Sequence, residues 1–488
     1  MGKKDKQNVK SAKDKKEGKE NAKDSKKSSG CWNVILLTST VMSILLSIAA
    51  FQLYSCVTHV PELPAIDLNE YWGPKDTVIK DTSIRPYRIV FTDTMQEEIR
   101  HLFEMYRRLE KPRSFNETGW SYGVNSEGFI EFFTEWIFTY SFRERAKFLN
   151  KFDHFMTNVQ GLDIHFMHVK PKVDNKNVKV VPLLLLHGWP GSIREFYETI
   201  PRLITPKKGY KFVFEVIVPS LPGFIYSQAA TRPGLSTLKI AVIMRNLMHR
   251  LGHKNFYVQG GDFGHSVGSH MATLFPKEVL GFHTNLPANF SKYAYLTWIL
   301  GSIWPSFVAG EQVDRMYPVA DKIKFFLEEF GYMHLQMTKP DTIGIALQDS
   351  PVGLASYILD RFMVFTDPAN KNRLEGGLDK YYSINKLLDN IMLYWATGSI
   401  TTAMRLYKES LASSDVEQIM ASIPTPVPTW ALRLKHELVH HPDFILRWKY
   451  PNLVGTSAAD YGGHFAAFER PKAFADSVFL AVKTFRRE

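Results

Sequence analysis

One corner constrains this chain more than any other stretch. Residues 255–258, Asn-Phe-Tyr-Val, make a short apolar run of the kind that forms a buried strand. Gly260-Gly261-Asp262-Phe263-Gly264 follows, and residues 266–275 read as a helix stopped by Pro276. Asp262 therefore sits at a strand-to-helix turn, with Gly260 two residues before it and Gly264 two after. A side chain on so sharp a turn crowds its neighbours, and small residues at those two places relieve the clash. This is the pattern of a nucleophile elbow carrying a carboxylate where serine is more familiar. An overlapping string, Gly264-His265-Ser266-Val267-Gly268, fits the serine-hydrolase pattern G-x-S-x-G. The strand decides between them, because the nucleophile must come directly off it. Residues 256–258 deliver Asp262, whereas Ser266 would need residues 259–263, Gln-Gly-Gly-Asp-Phe, to be the strand, and that run is poor in strand formers. Helix capping would account for an Asp here, but not for glycines on both sides of it.

The surroundings repeat the same unit. Residues 180–186 and 212–218 are continuous apolar runs, as expected of strands buried on both faces. The first ends at His187-Gly188-Trp189-Pro190-Gly191-Ser192 and the second at Pro219-Ser220-Leu221-Pro222-Gly223-Phe224. Helical segments at 194–203 and 238–251 separate the runs. Strands alternating with helices predict a parallel α/β sheet, whose sites form at the C-terminal strand ends. Residues 162–169 alternate apolar and polar, which suits an outer strand, with His165 and His168 on its solvated edge or paired locally. A short strand near 281–285 ends the repetition. Residues 289–421 are mostly helical and rich in aromatics and Met, and are read as a cap over the strand ends. Strands near 426–431 and 453–457 and a final helix from 472 complete the core. The predicted divisions are a tail (1–30), an anchor (31–55), an N-terminal extension (56–160), a first core part (161–288), the cap (289–421) and a second core part (422–488).

The N-terminus differs in kind. Residues 1–30 hold eleven Lys against five Asp or Glu, so the other 458 residues carry only +5 of the chain's +11. Such a tail is expected to be disordered, and the mildly basic body shows no basic-aromatic pattern for nucleic acid. Residues 32–54 carry no charge over 23 positions, enough to span a bilayer, with Trp32 and Tyr54 at its interfaces. Membrane lipid is thus an expected partner, and a cleaved signal peptide would be shorter. Lys flanking predicts a cytosolic tail and a body across the membrane. Cys31 and Cys56 are the only cysteines, so the globular part has neither a disulfide framework nor a Cys metal site.

A carboxylate nucleophile has chemical consequences. It is ionised at neutral pH and attacks without a base. Attack at carbon gives an ester whose acyl half belongs to the protein. Resolving that ester needs a base to activate water, and donors for the oxyanion. His464, in Gly462-Gly463-His464-Phe465 after the last strand, is placed for the base. Glu437 follows a candidate strand and could orient it; Asp443 and Asp389 are rivals. The backbone N–H groups of Trp189 and Phe263 are the natural oxyanion pair, which leaves His187 a structural role. No cofactor or metal is called for.

These strings resemble the microsomal epoxide hydrolases, including the insect juvenile hormone epoxide hydrolases. The likeness runs from Tyr71 to the C-terminus. It includes Trp72-Gly73-Pro74, residues 161–166, the two glycine-rich loops, Gly331-Tyr332-Met333-His334, Asp349-Ser350-Pro351-Val352-Gly353-Leu354, Tyr407-Lys408-Glu409 and residues 462–468. The resemblance implies an α/β-hydrolase fold with a mainly helical cap, an N-terminal extension and one transmembrane helix. It implies hydrolysis of apolar epoxides to vicinal diols, with Asp262 as nucleophile and His464 and Glu437 activating water. Tyr332 and Tyr407, which nothing else selects from twenty-one tyrosines, would be proton donors to the epoxide oxygen. The implied location is the endoplasmic reticulum membrane, with the body facing the cytosol, opposite to the charge rule. Alternative readings are a serine esterase or lipase through Ser266, a haloalkane dehalogenase, or a catalytically silent lipid-binding membrane protein. Three positions leave the family's usual pattern: Phe263 stands where Trp is usual, His265 where Ser is common, and Ile225 where Gly is usual. Asn116-Glu117-Thr118 and Asn289-Phe290-Ser291 are glycosylation sequons.

Overall fold

The computed structural model describes residues 5–75, 81–108, 113–412 and 415–487, with side chains from residue 32 onward except at 415. The chain divides into two compact units, Met1–His59 and Val60–Glu488. The first is one helix, Asp5–Thr58. It begins well inside the stretch expected to be disordered. Lys, Glu and Ala are good helix formers, and Lys13/Glu17 and Lys16/Glu20 stand four apart, where opposite charges support a helix. Its segment Trp32–Thr58 is long and apolar enough to cross a membrane.

The second unit is built on a nine-stranded sheet. Its strands are β1 (Arg85–Tyr87), β2 (His154–Val159), β3 (Leu162–Val169), β4 (Lys179–Leu186), β5 (Phe212–Pro219), β6 (Phe256–Gly260), β7 (Val279–Thr284), β8 (Thr429–Leu434) and β9 (Leu453–Ala459). Their order is β1-β2-β3-β5-β4-β6-β7-β8-β9. β4 to β9 run parallel to one another, while β1, β2 and β3 form an antiparallel extension that pairs antiparallel with β5. Leu183, Leu184, Leu185 and Leu186 on central β4 are all buried. Each contributes roughly 1.5–3 kcal/mol through burial, so this strand is the least movable part of the core.

β3 is not an outer strand. It is paired on both sides, by β2 and β5, and His165 on it is fully buried, with Nδ1 2.9 Å from Ser220 Oγ and Nε2 3.0 Å from His154 Nδ1. His168 Nε2 lies 2.6 Å from Glu215 Oε1. Both histidines are thus paired locally, the second of the two readings given above, His165 with buried partners and His168 with the partly buried Glu215. The segment read as a helix at 194–203 divides into a 3₁₀ turn, Ile193–Phe196, and a single turn, Ile200–Leu203. The helix of the N-terminal extension, Asp93–Arg108, buries Ile99 and Phe103, which stand four apart on one face.

Between β7 and β8 the chain leaves the sheet and forms the helical cap. Its helices Gly331–Thr338 and Ile400–Tyr407 carry the two family tyrosines. One buried ion cluster joins cap, core and extension. Asp389, on cap helix Ile384–Thr397, accepts from Arg145 Nε at 2.8 Å and from Arg194 Nε at 2.8 Å, with the Tyr140 hydroxyl at 3.1 Å. A buried carboxylate so fully paired is a structural fastener, and removing one partner from such a cluster typically costs 3–5 kcal/mol. Asp389 is therefore not the acid that orients His464.

Candidate active site

β6 ends at Gly260 and the helix Phe263–Leu274 begins one residue after Asp262. Asp262 itself has φ 51° and ψ −131°, a region costing a non-glycine residue on the order of 1–3 kcal/mol. The surrounding glycines are required sterically: a Cβ at Gly188 would overlap the Asp262 carboxylate, and one at Gly264 would overlap the carbonyl of Leu186. The turn thus presses an acid against neighbouring backbone, which only glycine lets come so close.

Two elements meet that acid. Asp262 Oδ1 accepts from the backbone N–H of Trp189 at 2.8 Å, and the N–H of Phe263 also donates to the carboxylate. Asp262 Oδ2 faces His464 Nε2 at 3.2 Å, and His464 Nδ1 lies 2.7 Å from Glu437 Oε1. The two carboxylates therefore hold opposite nitrogens of one imidazole. Asp443 is instead half-exposed and takes an Arg433 bond of 2.7 Å. The ring's loop is clamped: the N–H of Gly463 and that of Phe465 donate to the two oxygens of Glu469 at 2.7 and 3.0 Å, and the His464 N–H donates to the Phe365 carbonyl.

The charges follow from this arrangement. Burial opposes ionisation of Asp262, but His464 and the two backbone donors outweigh it and hold its pKa below the ordinary carboxylate value. Burial likewise opposes a charge on His464, yet Glu437 and Asp262 together raise its pKa well above the usual histidine value. The resting site is a carboxylate, an imidazolium and a second carboxylate in a row.

Above the elbow, a cavity of about 500 Å³ is lined by Asp262, Phe263, His464, Tyr332, Tyr407 and a wall of Phe, Met and Leu side chains. Tyr332 stacks on Trp189, with ring centroids 5.3 Å apart; Tyr407 stands edge-on to Trp189, Phe263 and Tyr332. Burial first, then the Asp262 charge, raises the pKa of Tyr332; burial, Tyr332 and Asp262 raise that of Tyr407. Both phenols keep their protons and can donate them into the cavity.

The remaining sequence candidates separate cleanly. Ser266 lies on the first turn of the elbow helix, and no described histidine hydrogen-bonds to it. His464 is taken by Asp262, while His265 places Nδ1 2.8 Å from Thr284 Oγ1 and Nε2 3.2 Å from the Tyr450 hydroxyl. Burial depresses the His265 pKa to about 3, so it is neutral at working pH. His187 is structural: Nδ1 lies 3.0 Å from the Gly188 carbonyl, Nε2 accepts the Leu221 N–H, and burial brings its pKa to about 4. Ile225, at φ 51°, occupies a conformation that favours glycine. Its buried side chain offsets the penalty of roughly 1–2 kcal/mol. Asn289 is buried, and its side-chain NH₂ donates to the Ile445 carbonyl, so of the two sequons only Asn116 is exposed. Sequence reasoning missed Glu195 and Asn285, which line a small cavity together with Asp262, because neither belongs to a motif that announces burial beside that acid.

The profile described as "Epoxide hydrolase N terminus" matches residues 84–196, and one for the alpha/beta hydrolase fold matches residues 181–308. A juvenile hormone epoxide hydrolase from Bombyx mori is 47% identical over 446 residues, covering 91% of this chain and 96% of that protein. Epoxide hydrolase 1 of Sus scrofa is 38% identical, over 89% of this chain and 97% of its own length. The crystal structure of the Bombyx mori enzyme superposes with a TM-score of 0.84 at 48% identity, covering 86% of this chain and 99% of that one. An Aspergillus niger epoxide hydrolase shares the fold, with a TM-score of 0.66 at 24% identity.

Proposed function

This chain belongs to the epoxide hydrolases of the juvenile hormone and microsomal type, and from that premise we propose that it opens apolar epoxides to vicinal diols through an ester formed on Asp262. The observation that carries the proposal is the division of labour between the two oxygens of that carboxylate. Oδ1 accepts the Trp189 N–H at 2.8 Å and the Phe263 N–H donates to the same carboxylate, so an ester carbonyl and its oxyanion would be stabilised there. Oδ2, which faces His464 Nε2 at 3.2 Å, is the oxygen that attacks. It bonds to an epoxide carbon, that C–O bond breaks, and the ring oxygen takes a proton from Tyr332 or Tyr407. Alkylation removes the negative charge from Asp262. One of the two carboxylates that keep His464 protonated is then lost, so its pKa falls and the ring becomes a base. The proton it releases replaces the one the tyrosine gave. Water then attacks the ester carbon: one of its protons goes to His464, the other to the departing alcohol, and its oxygen stays on Asp262. The cycle returns to the carboxylate and imidazolium it began with, and no cofactor enters it.

This atom balance supplies the test. In a single turnover in heavy-oxygen water, the label should appear in the Asp262 carboxylate and not in the diol; label in the first-turnover diol would mean that water attacks the epoxide directly. The tyrosines give a second expectation. Tyr332→Phe or Tyr407→Phe should each slow ester formation about 10-fold, because the partner phenol remains. The double variant should lose 10³-fold or more, within the range of general acid catalysis, with hydrolysis of preformed ester unchanged in stopped-flow traces. A dehalogenase reading is disfavoured because Phe263 has no ring N–H to hold a halide.

The substrates favoured are long, apolar epoxides, with juvenile-hormone-like terpenoids first. The 47% identity to a Bombyx mori enzyme of that name and the cavity of about 500 Å³ support this choice. Turnover of a terpenoid epoxide, an epoxy fatty acid and styrene oxide, compared side by side, tests the ranking. The helix Trp32–Thr58 would anchor the enzyme in the endoplasmic reticulum membrane, where such substrates partition. Asn116 reports which side the body faces. With the family's cytosolic orientation, Asn116→Gln should leave gel mobility unchanged; loss of a glycosidase-sensitive shift would place the body in the lumen.

A further inference from the structure

Asp262 and His464 form part of the wall of two separate spaces. One is the substrate cavity described above. The other is a chamber of about 20 Å³ whose lining includes the polar side chains of Asp262, His464, Glu195, Asn285 and His187, the last already bonded to Gly188 and Leu221. That volume holds about one water and no organic substrate, and a buried water needs two to four polar partners. Asn285 is fixed, with Oδ1 accepting from Gln259 Nε2 at 2.8 Å and Nδ2 donating to the His464 carbonyl at 3.4 Å. A Cβ at Gly188 would overlap the Asp262 carboxylate and one at Gly261 would overlap the Asn285 amide, so glycine keeps the chamber's walls this close to the nucleophile. Glu195, on the 3₁₀ turn Ile193–Phe196, has no role in the chemistry derived so far.

We propose that this chamber is the binding site of the hydrolytic water and that Glu195 is its positioning residue. The proposal rests on the ester reading. The water enters beneath the ester carbon, on the face away from the substrate. One O–H points to His464 Nε2, the other to the Glu195 carboxyl, and the lone pair is left for the carbon. Glu195 suits this because it does not compete for the proton: burial above all, with Asp262 adding to it against the opposing effect of His464, pushes its pKa to about 8. It is therefore mainly a neutral acid at pH 7, and a neutral amide should replace it.

The test uses the full-length enzyme in detergent with styrene oxide as probe, resolving ester formation from hydrolysis by rapid quench and intact-mass measurement. Glu195→Met, nearly the same shape without polar atoms, should form ester at the parental rate and hydrolyse it about 100-fold more slowly, the scale of a misplaced reactant. Glu195→Gln should restore hydrolysis to within about 5-fold. A merely structural role would slow both steps together and would not be rescued selectively by Gln. Hydrolysis at the parental rate in Glu195→Met, or equal slowing by Gln and Met, overturns the proposal. Should Met prevent folding, Glu195→Leu is held to the same outcome. His464→Gln is the control: if it accumulates no ester either, the ester mechanism has failed, not the chamber.

Discussion

Asp262→Ala should abolish diol formation, with turnover lowered by at least about 10⁴-fold while the protein stays folded. The size follows from what is removed. With no carboxylate there is no ester, and the remaining route is direct attack of water on the epoxide. His464 cannot promote that route well, because Glu437 at 2.7 Å remains to pair with it and nothing else in the described site offers an anionic nucleophile. Losses of 10⁴ to 10⁶ are usual when a nucleophile acting as part of a unit is deleted, and 10⁴ corresponds to about 5.4 kcal/mol. Stability should move little. The residue sits at φ 51°, which costs energy for any side chain, and the N–H groups left without an acceptor face a cavity that water can enter. The decisive measurement pairs initial diol formation with a thermal melt. A melting temperature within a few degrees of the parent and diol output above 1% of it would mean that another group performs the attack.

The elbow was legible in sequence because its requirements are local. A strand, a strained corner and two glycines lie within ten residues, and short-range sterics dictate them. The approach of His464 to that elbow was nearly as legible, since Gly462-Gly463-His464 follows a strand. Its partner was not. Glu437 stood first only through the strand before it and the resemblance, with Asp443 and Asp389 as rivals until the fold placed Asp389 beneath two arginines and Asp443 beside Arg433. Choosing among them depends on which loop ends reach the same point, and no spacing encodes that. The two tyrosines came only through resemblance, for a phenol on a cap helix looks like any core aromatic until the cap is set over the elbow. β3 was misplaced for a related reason: its alternation read as an outer strand, whereas β2 and β5 pair with it on both sides and His165 is paired locally, with His154 of β2. Glu195 was invisible, because burial of a lone acid in a turn leaves no periodic trace.

His464→Gln should divide the reaction at its middle. Ester formation needs Asp262 Oδ2, the two backbone donors and the tyrosines, all of which remain, so a first equivalent of epoxide should be consumed. Some slowing is expected there, because the imidazolium that lowers the Asp262 pKa is gone; the carboxylate still ionises at neutral pH through its N–H donors. Hydrolysis should fall by about 10³-fold or more, since an amide cannot take the proton from water. The ester then accumulates, and intact mass should rise by the mass of one epoxide per chain, with the peptide containing Asp262 carrying it. Glu437→Gln should give a milder version. The ring keeps a hydrogen-bond partner but loses the charge that supports imidazolium formation, so hydrolysis should slow by about 10–100-fold, with partial ester build-up. The order of the two variants matters more than either magnitude. If Glu437→Gln trapped more ester than His464→Gln, the acid and not the ring would be activating water, and the 2.7 Å contact between them would need the opposite reading.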